Sequence, residues 1–455
     1  MDSKFSFSKY ISVMYKNCKH NIFVLLKWLV LSSLVGVISG AVVTIFKLII
    51  NYITSFREEH SFLLFFLPIA GLLIVWSYSV CGLKKDPGIN LIISSIRDSK
   101  LNTLKQLNTN TSPNKHNAPQ NSIISPVVDD IYATTNAVEK TVPVKLTPLI
   151  FIATILTHIC GGSAGRTGAA LQIGGSVSSG IASLLQLEKN DKKIMIMSGI
   201  SAGFAAILGT PISATIFSME VVCVGNMHYP ALVPCLFASI IASFYAKGLG
   251  AKPESFRILE TIDFNLVNIL KILLIAIICA LISMLFCVCL HTFPKIYERF
   301  FKNPYIRILA GAVIVVLINI LLSTTDFQGL GRGLIVKAIK GDVVPYAFIV
   351  KLLLTALTIG CGFKGGEIMP SFVIGSTLGC TLGHLLGLSP SLCAALGIAG
   401  LFCGVTNCPI TTILLSFELF GYNSVLFFLI VISISYMMSG YNSLYREQTI
   451  LNNKL

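Results

Sequence analysis

One apolar stretch is used twice in this chain. Residues 199–220 read GISAGFAAILGTPISATIFSME, and residues 397–418 read GIAGLFCGVTNCPITTILLSFE. The two copies share, at the same offset, Gly199 and Gly397, Ile200 and Ile398, Pro211 and Pro409, Ile212 and Ile410, Ser218 and Ser416, and Glu220 and Glu418. Paired apolar segments interrupted by glycine and proline are typical of transporters with a site at a repeat interface. The sequence therefore predicts two structural repeats.

Composition places these repeats in a membrane. Hydrophobic residues make up 54% of the 455 residues and charged residues only 12%, whereas a soluble domain has about 25% charged residues. Several apolar blocks are shorter than the roughly 20 residues that a full crossing needs. We therefore expect an all-α polytopic membrane protein in which some helices are partial or tilted. The repeat pattern alone leaves open whether the two halves are parallel or inverted.

The net charge of +14 is explained better by membrane topology than by nucleic-acid binding, because much of the excess lies on tails and short connections. Several lysines precede or enter the first apolar block, and the positive-inside tendency then puts the N-terminus in the cytoplasm. That block is too long for the apolar core of a cleavable signal peptide. We expect a multi-pass protein of the plasma membrane. The lysines are Lys4, Lys9, Lys16, Lys19 and Lys27.

The 13 cysteines lie largely in apolar runs, where they act as small hydrophobic residues. No CxxC pair and no cluster of Cys and His has metal-ligand spacing, so we expect no metal and no cofactor. A phosphate-loop interpretation of GGSAGRTGAALQIGG at 161–175 fails because no strand precedes it and no GK[ST] follows. No set of nucleophile, base and orienting group occurs at a plausible spacing, which argues against an enzyme.

The chain divides into two membrane parts and their flanking segments. We assign residues 1–21 to an N-terminal tail, 22–246 to the first membrane repeat, 247–440 to the second, and 441–455 to a C-terminal segment. A polar stretch at 98–141, rich in Asn, Ser, Thr and Pro, interrupts the first repeat and has the composition of a disordered surface loop. Transport would then reside in the membrane part alone.

Glycine-rich segments at 161–180 and 360–379 precede the two copies. A helix that begins inside the membrane directs its unpaired N–H groups and its positive dipole end at an anion, and glycine allows the closest backbone approach. The same glycines would also suit close helix packing in a membrane. The glycines alone therefore leave both interpretations open.

Rare charges lie within or at the ends of the apolar stretches, where an unpaired charge costs at least about 2.5 kcal/mol. We therefore expect these charges to be paired or functional. In particular, we expect Arg166 to pair with Glu220 or Glu418, each of which closes a repeat unit. The charges in question are Arg166, Glu220, Lys364, Glu367 and Glu418.

Several short segments together resemble one family. They are GINLI at 88–92, LTHICGGSAGRTGAALQIGG at 156–175, GFKGGEIMP at 362–370, TNCPI at 406–410 and SGYNSLYREQ at 439–448. With these motifs the chain resembles the CLC superfamily of anion channels and transporters, and most closely its fluoride-transporting branch. The resemblance spans nearly the whole chain, and the polar stretch 98–141 is longer than the family needs.

The resemblance implies a homodimer in the lipid bilayer, with one pore in each subunit and two inverted-topology repeats. A halide, fluoride or chloride, would be held midway by helix N-termini. Tyr445 would offer its hydroxyl to the central site, and Tyr441 is a weaker candidate. The anion-binding residues that the resemblance implies are Gly88, Asn90, Arg166, Thr167, Gly168, Glu367, Ile368, Met369 and Tyr445.

Three positions depart from the family's patterns. Pro87 stands where the chloride branch has a serine, and proline donates neither a hydroxyl nor an N–H. Val221 stands where chloride antiporters have an internal proton-relay glutamate; the fluoride branch lacks both of these groups. Thr167 stands at the gate, where the family has a glutamate. A threonine hydroxyl can donate a hydrogen bond, but it does not titrate in the physiological range.

We therefore expect passive or weakly proton-coupled halide transport, with fluoride preferred to chloride. Two alternatives stay open at this point. One is a proton-coupled fluoride or chloride antiporter with a different gate, and the other is a non-conducting CLC-like pseudo-transporter. Intact anion-facing segments and Tyr445 argue against the pseudo-transporter, because such a protein has no reason to keep them.

Overall fold

The fold is almost entirely helical. It is given by a computed structural model that describes residues 2–83, 88–97, 142–451 and 454. Pro87 and the polar stretch 98–141, for which the sequence predicts a loop, lie outside the described residues. The helices of the first half are α1 (Asp2–Glu59), α2 (Leu67–Val80), α3 (Ile89–Ile96), α4 (Leu146–Ile159), α5 (Thr167–Leu184), α6 (Lys189–Leu208), α7 (Pro211–Glu220) and α8 (Leu232–Gly248).

The second half follows a linker and ends in a short strand. Its strand β2 (Thr449–Ile450) pairs in parallel with β1 (Cys223–Val224), which comes directly after the first half's α7. The helices of the second half are α9 (Leu266–Phe300), α10 (Pro304–Leu322), α11 (Arg332–Ile339), α12 (Ala347–Cys361), α13 (Ile368–Leu386), α14 (Pro390–Thr406), α15 (Pro409–Phe420) and α16 (Val425–Met438).

Among the described residues, six helical segments are long and apolar enough to cross a membrane, judged by length and composition. Several other apolar helices have only 10–17 residues, which is too short for a full crossing. The expectation of an all-α polytopic protein with partial helices is therefore confirmed. The six segments are Met14–Glu59, Ser61–Val80, Tyr229–Gly248, Leu266–Phe300, Pro304–Leu322 and Ile368–Leu386.

Each half breaks its helix at the same point of the repeat. Gly209 ends α6 in the left-handed conformation with φ 82°, and Asn407 ends α14 with φ 56°. Pro211 and Pro409 then occupy the first position of α7 and α15, where a missing N–H costs nothing. The repeated sequence thus specifies a helix, a sharp break and a short second helix.

The same glycine contact joins the longer helices of each half. Gly174 on α5 faces Gly199 on α6, and Gly375 on α13 faces Gly397 on α14. A Cβ atom at any of these four positions would overlap the backbone of its partner. Small residues permit this close packing in membranes, where burial of apolar surface contributes little. The repeat therefore extends from sequence to tertiary contacts.

The two short helices α7 and α15 cap each other. Glu220, which ends α7, accepts hydrogen bonds at the start of α15 from the N–H of Thr411 (2.8 Å) and from its hydroxyl (2.6 Å). Glu418, near the end of α15, accepts from the N–H of Ser213 (2.9 Å) and from its hydroxyl (2.6 Å). Two helices that cap each other in this way run antiparallel, as inverted repeats require. The expected pairing of Arg166 with Glu220 or Glu418 is wrong, because both carboxylates bind the positively polarised N-termini of α15 and α7 instead.

Candidate anion site

Two glycine loops meet at the centre of the molecule and bring two helix N-termini together. The N–H of Gly165 donates to the carbonyl of Gly366 at 2.6 Å, and the N–H of Gly366 donates back to the carbonyl of Gly165 at 2.7 Å. Helix α5 begins two residues after Gly165, and α13 begins two residues after Gly366. The pair requires glycine, since a Cβ on Gly165 would lie 2.7 Å from the carbonyl oxygen of Gly366, and a Cβ on Gly366 would lie 2.3 Å from the N of Gly168.

The first N–H groups of α5 have no acceptor within the helix and can therefore bind a ligand. The first hydrogen bond of this helix runs from the N–H of Ala170 to the carbonyl of Arg166 at 3.0 Å. The N–H groups of Thr167 and Gly168 precede it and lie outside the helical ladder. Helix α13 starts in the same way, with Ser371 donating to Glu367 at 3.1 Å. Such ends attract anions through their N–H groups and their dipoles.

Two buried hydroxyls add donors near these helix starts. Thr167 is 0% exposed and Tyr445 is 2% exposed, and neither hydroxyl has a hydrogen-bond partner among the described residues. A buried polar atom is nearly always satisfied in a folded protein. The unsatisfied hydroxyls therefore indicate that each of them contacts a ligand or a water molecule.

The Glu367 carboxylate connects these groups. Its Oε2 lies 3.3 Å from the place that a Cβ on Gly168 would take. The carboxylate therefore lies beside the start of α5. The structure brings the Glu367 carboxylate to Gly168, which follows Thr167 in the first turn of α5, and the anion-binding roles of these residues and of Tyr445 stay predictions. Ile368 and Met369 are buried in the first turn of α13.

A folded C-terminal segment holds Tyr445 in place. The N–H of Leu444 donates to the carbonyl of Val405 at 2.8 Å. The Gln448 side chain donates to the carbonyls of Thr406 (2.8 Å) and Val221 (3.0 Å), which joins the segment to both halves. Tyr441, the weaker sequence candidate, is 60% exposed and lies away from the buried site.

The GINLI segment contacts α5 and the C-terminal segment. A Cβ on Gly88 would lie 3.5 Å from Nε2 of Gln172 on α5. The side-chain Oδ1 of Asn90 accepts from the N–H of Glu447 at 3.3 Å, in the same segment as Tyr445. Asn90 thereby supports the tyrosine, and the anion-binding roles predicted for Gly88 and Asn90 stay predictions.

The Arg166 side chain turns away from the anion position. Its Nη2 lies 2.7 Å from Oε1 of Glu254, and its Nη1 donates to Asn51. The other carboxylate oxygen of Glu254 accepts from Nε of Arg332 at 2.9 Å. Sequence reasoning missed Glu254 because it lies in the polar, helix-free segment between α8 and α9, where a charge is unremarkable. Arg166 contributes its backbone to the start of α5 rather than its charge.

Further cations are buried on the same side as Arg166. The Nζ of Lys47 donates to the carbonyl of Lys252 at 2.8 Å, and the Nζ of Lys351 donates to the carbonyl of Gly329 at 2.8 Å. Arg57 donates to the carbonyl of His158 at 3.2 Å. Lys47, Arg57, Arg166 and Lys351 form what we term the basic cluster. Lys47 and Lys351 interrupt apolar stretches, a signal that could have identified them from the sequence.

The fold and the site define a membrane protein of the anion-transport class. The family model for the voltage gated chloride channel matches residues 114–440, so the chain belongs to this family, the CLC superfamily, close to its fluoride-transporting branch. A chloride/fluoride channel protein of Pseudomonas syringae pv. tomato is 30% identical over 434 residues, which are 94% of this chain and 87% of the relative.

Solved structures agree with this assignment. A CLC-type fluoride/proton antiporter superposes with a TM-score of 0.82 at 34% identity, covering 94% of this chain and 99% of the other. A slow cyanobacterial Cl⁻/H⁺ antiporter superposes with a TM-score of 0.72 at 18% identity, covering 90% and 94%, and this second likeness supports the fold alone. The protein is therefore an integral, multi-pass membrane protein with a CLC fold.

Proposed function

We propose that the protein carries a halide, preferentially fluoride, across the membrane without strict proton coupling. The observation that carries this proposal is Thr167. Its buried hydroxyl stands at the first position of α5, beside N–H groups outside the helical ladder, and no described residue accepts its hydrogen bond. This hydroxyl can donate to a passing anion but cannot exchange a proton in the physiological range.

Fluoride fits the kind of donors that converge here. A small, strongly hydrated anion needs several donors to replace its water, and such a set is offered by two helix N-termini together with the hydroxyls of Thr167 and Tyr445. The glycine loops allow the backbone to approach a small ion closely. Fluoride is named for the Pseudomonas syringae relative and for the CLC-type fluoride/proton antiporter, and this supports the same choice.

A second candidate is a proton-coupled antiporter that uses a different gate, and Glu367 favours it. Its carboxylate lies beside Gly168, which is inside the candidate site. A carboxylate there competes with an anion when ionised and admits one when protonated. On this mechanism the titrating group would belong to the second half of the molecule, although the family's gate position is in the first.

Flux from reconstituted vesicles separates the two candidates. We expect fluoride efflux that exceeds chloride efflux, and a reversal potential set by the fluoride gradient alone. A pH electrode should record no stoichiometric proton movement against fluoride. Coupled proton movement that is lost in Glu367→Gln would support the second candidate instead. Equal or faster chloride flux would contradict the fluoride preference, and absence of any flux would indicate a pseudo-transporter.

The assembly state is a further part of the proposal. We expect a homodimer in which each subunit has its own pore, as the family resemblance implies. The paired helices α7 and α15 present Ile212 and Ile410 at the protein surface, each about half exposed, where a second copy can cover them. Native mass spectrometry in detergent should give twice the subunit mass. A monomer that retains flux would contradict this expectation.

The orientation and the membrane are also proposed. We place the N-terminus in the cytoplasm and the protein in the plasma membrane, because the lysines before the first span follow the positive-inside tendency. A fluorescent tag on the N-terminus of intact cells should resist an impermeant quencher added outside. Quenching without permeabilisation would reverse the orientation.

A further inference from the structure

The helix-free segment between α8 and α9 carries a buried carboxylate. Glu254 is only 4% exposed. Its Oε1 lies 2.7 Å from Nη2 of Arg166, which directly precedes α5. Its Oε2 accepts from Nε of Arg332, the first residue of α11, at 2.9 Å. One carboxylate therefore joins the start of α5, in the first half, to the start of a helix in the second half.

The backbone around Glu254 is held from both halves of the molecule. The N–H of Glu254 donates at 2.7 Å to the carbonyl of Leu208, the last residue of α6. Two residues later, the N–H of Phe256 donates at 2.9 Å to the carbonyl of Leu419 in α15. These bonds fix the place of the carboxylate, so that it can direct a longer side chain that binds to it.

The guanidinium of Arg166 depends on this carboxylate for its position and its charge balance. Arg166 is 1% exposed. Its Nη1 donates to the side chain of Asn51, which is neutral, and its Nε has no partner among the described residues. Within the described part of the chain, the acidic group that Arg166 contacts is that of Glu254. A buried charge without a partner costs several kcal/mol, so Glu254 both orients and compensates this arginine.

The same arginine is adjacent in the chain to the candidate anion site. Thr167 and Gly168 follow it, and their N–H groups lie outside the helical ladder of α5. A hydrogen bond from a charged guanidinium is roughly twice as strong as one from a neutral donor. A conducting site must bind its ion weakly enough to release it. A guanidinium that turned towards the start of α5 would therefore hold an anion too tightly for rapid transport.

We propose that Glu254 is a positioning residue for the anion site. It holds the Arg166 guanidinium away from the start of α5 and neutralises its charge, so that the helix N–H groups bind fluoride without the help of a full positive charge. Without the carboxylate, the buried guanidinium takes fluoride as its counter-ion. This role deepens the proposed function and rests on it, because it requires that fluoride visits the start of α5.

The substitution Glu254→Gln tests this role. Glutamine has almost the same shape and keeps an oxygen that accepts from Arg166, but it carries no charge. Titration of the detergent-purified protein with sodium fluoride in a calorimeter should show binding that is tighter on the order of tenfold. Efflux from vesicles at saturating fluoride should be slower, because a more tightly held ion leaves more slowly. Weaker binding together with slower efflux would indicate a merely structural role and would overturn the proposal.

A double-variant cycle tests whether Glu254 acts through Arg166. The substitution Arg166→Gln removes the guanidinium and keeps the backbone at the start of α5. In that background, adding Glu254→Gln should no longer tighten fluoride binding. Tightening of the same size as in the single variant would mean that Glu254 acts on the anion by its own charge, which contradicts a positioning role.

Two matched controls separate charge from other effects. Glu298 also pairs with an arginine, Arg307 at 3.0 Å, but it is 64% exposed, so Glu298→Gln should leave the fluoride affinity unchanged. Glu254→Asp retains the negative charge and should keep the affinity of the unmodified protein. If Glu254→Asp tightens fluoride binding as much as Glu254→Gln does, loss of charge is not the cause and the proposal fails.

Loss of the carboxylate also destabilises the protein, because it leaves the charge of Arg166 uncompensated. Sodium fluoride should therefore raise the unfolding midpoint of Glu254→Gln more than that of the unmodified protein. A variant that fluoride neither stabilises nor returns to the folded state contradicts the proposal. Tighter binding in Glu254→Gln without any flux from the unmodified protein would retain the role of Glu254 and reject the transport function. Flux from the unmodified protein with no change of affinity in the variant would do the reverse.

Discussion

At the start of α5 the residue that follows the paired glycine is Arg166, and at the start of α13 it is Glu367. The backbones around them are alike, since Gly165 and Gly366 exchange both hydrogen bonds. The side chains behave differently. Arg166 leaves the site for Glu254, whereas the carboxylate of Glu367 stays beside Gly168.

This difference shows that the backbone and the side chains contribute separately to the candidate anion site. Two helix N-termini supply N–H groups and positive dipole ends from both halves, so anion binding does not depend on which half is considered. The charged side chains break that symmetry. Three of the four residues of the basic cluster, all but Lys351, belong to the first half, and a carboxylate lies at the start of the second.

We expect the largest loss of stability and of fluoride flux from a substitution in the paired glycine loops, where the two halves are most alike. A Cβ in Gly366→Ala would lie 2.9 Å from the Cα of Gly168 and 3.3 Å from the N of Thr167, so the loops must separate. Overpacking of this kind costs about 1–3 kcal/mol, and we expect lower thermal stability and loss of most fluoride flux. Size-exclusion after heating and flux from vesicles measure the two effects.

Gly333 provides the matched control for this substitution. It lies in α11 with open space around it, so Gly333→Ala should be neutral or should stabilise the helix by up to about 1 kcal/mol. Equal losses in the two variants would mean that glycine is needed for general helix packing and not for the exchanged pair.

The two glutamates that cap α15 and α7, Glu220 and Glu418, allow a second comparison between the halves. Both glutamates make the same bonds, but Glu220 is buried, and Glu418 is partly exposed. Hydrogen bonds to a charged group contribute about 1.5–3 kcal/mol, and water can replace them more easily at Glu418. We expect Glu220→Ala to lower the midpoint of thermal unfolding more than Glu418→Ala does.

An exposed glutamate sets the baseline for that measurement. Glu298 is 64% exposed and pairs with Arg307, and a surface pair of this kind contributes at most about 1 kcal/mol. Glu298→Ala should therefore change the unfolding midpoint least of the three. If Glu418→Ala proves as costly as Glu220→Ala, burial does not distinguish the two caps.

A third test makes the first half resemble the second. Thr167→Val removes the hydroxyl at the first position of α5 and leaves an apolar branched side chain, as Ile368 is at the first position of α13. One lost hydrogen bond of about 1–1.5 kcal/mol corresponds to roughly tenfold weaker fluoride binding. Thermal stability should not change, because no described residue bonds to this hydroxyl.

The reverse substitution tests the gate. Thr167→Glu restores a carboxylate, which should occupy the anion position when ionised and slow fluoride flux as pH rises above its pKa. Thr381→Val, at a partly exposed threonine on α13, should change neither flux nor its pH dependence. Pre-steady-state efflux at several pH values measures both variants. Flux in Thr167→Glu that is independent of pH would place the gate elsewhere.

The fold was largely predictable from the sequence because its pattern is repeated. The glycine pair Gly174 and Gly199 and its counterpart Gly375 and Gly397 appear at matching places in both copies, and the structure places each pair in contact. The pairing of Arg166 was not predictable. Its partner Glu254 lies in a linker that the repeat does not include, so no symmetry argument points to it.

At the candidate anion site, too, the sequence predicts the residues that repeated helix starts mark and does not predict how their side chains are directed. Thr167, Gly168 and Glu367 follow from helix starts that the glycine-rich segments mark in the sequence. The position of the Glu367 carboxylate does not follow, because a side chain's direction depends on packing between the halves. His158 lies near the end of α4, and its complete burial is visible only in the structure.

The smallest effect is expected at Tyr445, which belongs to neither helix start. Its ring packs edge-on against Phe217 with the centroids 6.5 Å apart, and only the hydroxyl is unsatisfied. Tyr445→Phe keeps the packing and removes one donor, so fluoride binding should weaken about threefold, or about 0.7 kcal/mol. Tyr441→Phe, at the exposed tyrosine of the same segment, should leave binding unchanged. Equal effects at the two tyrosines would mean that the segment acts through its fold, and the two helix starts would then hold the anion without it.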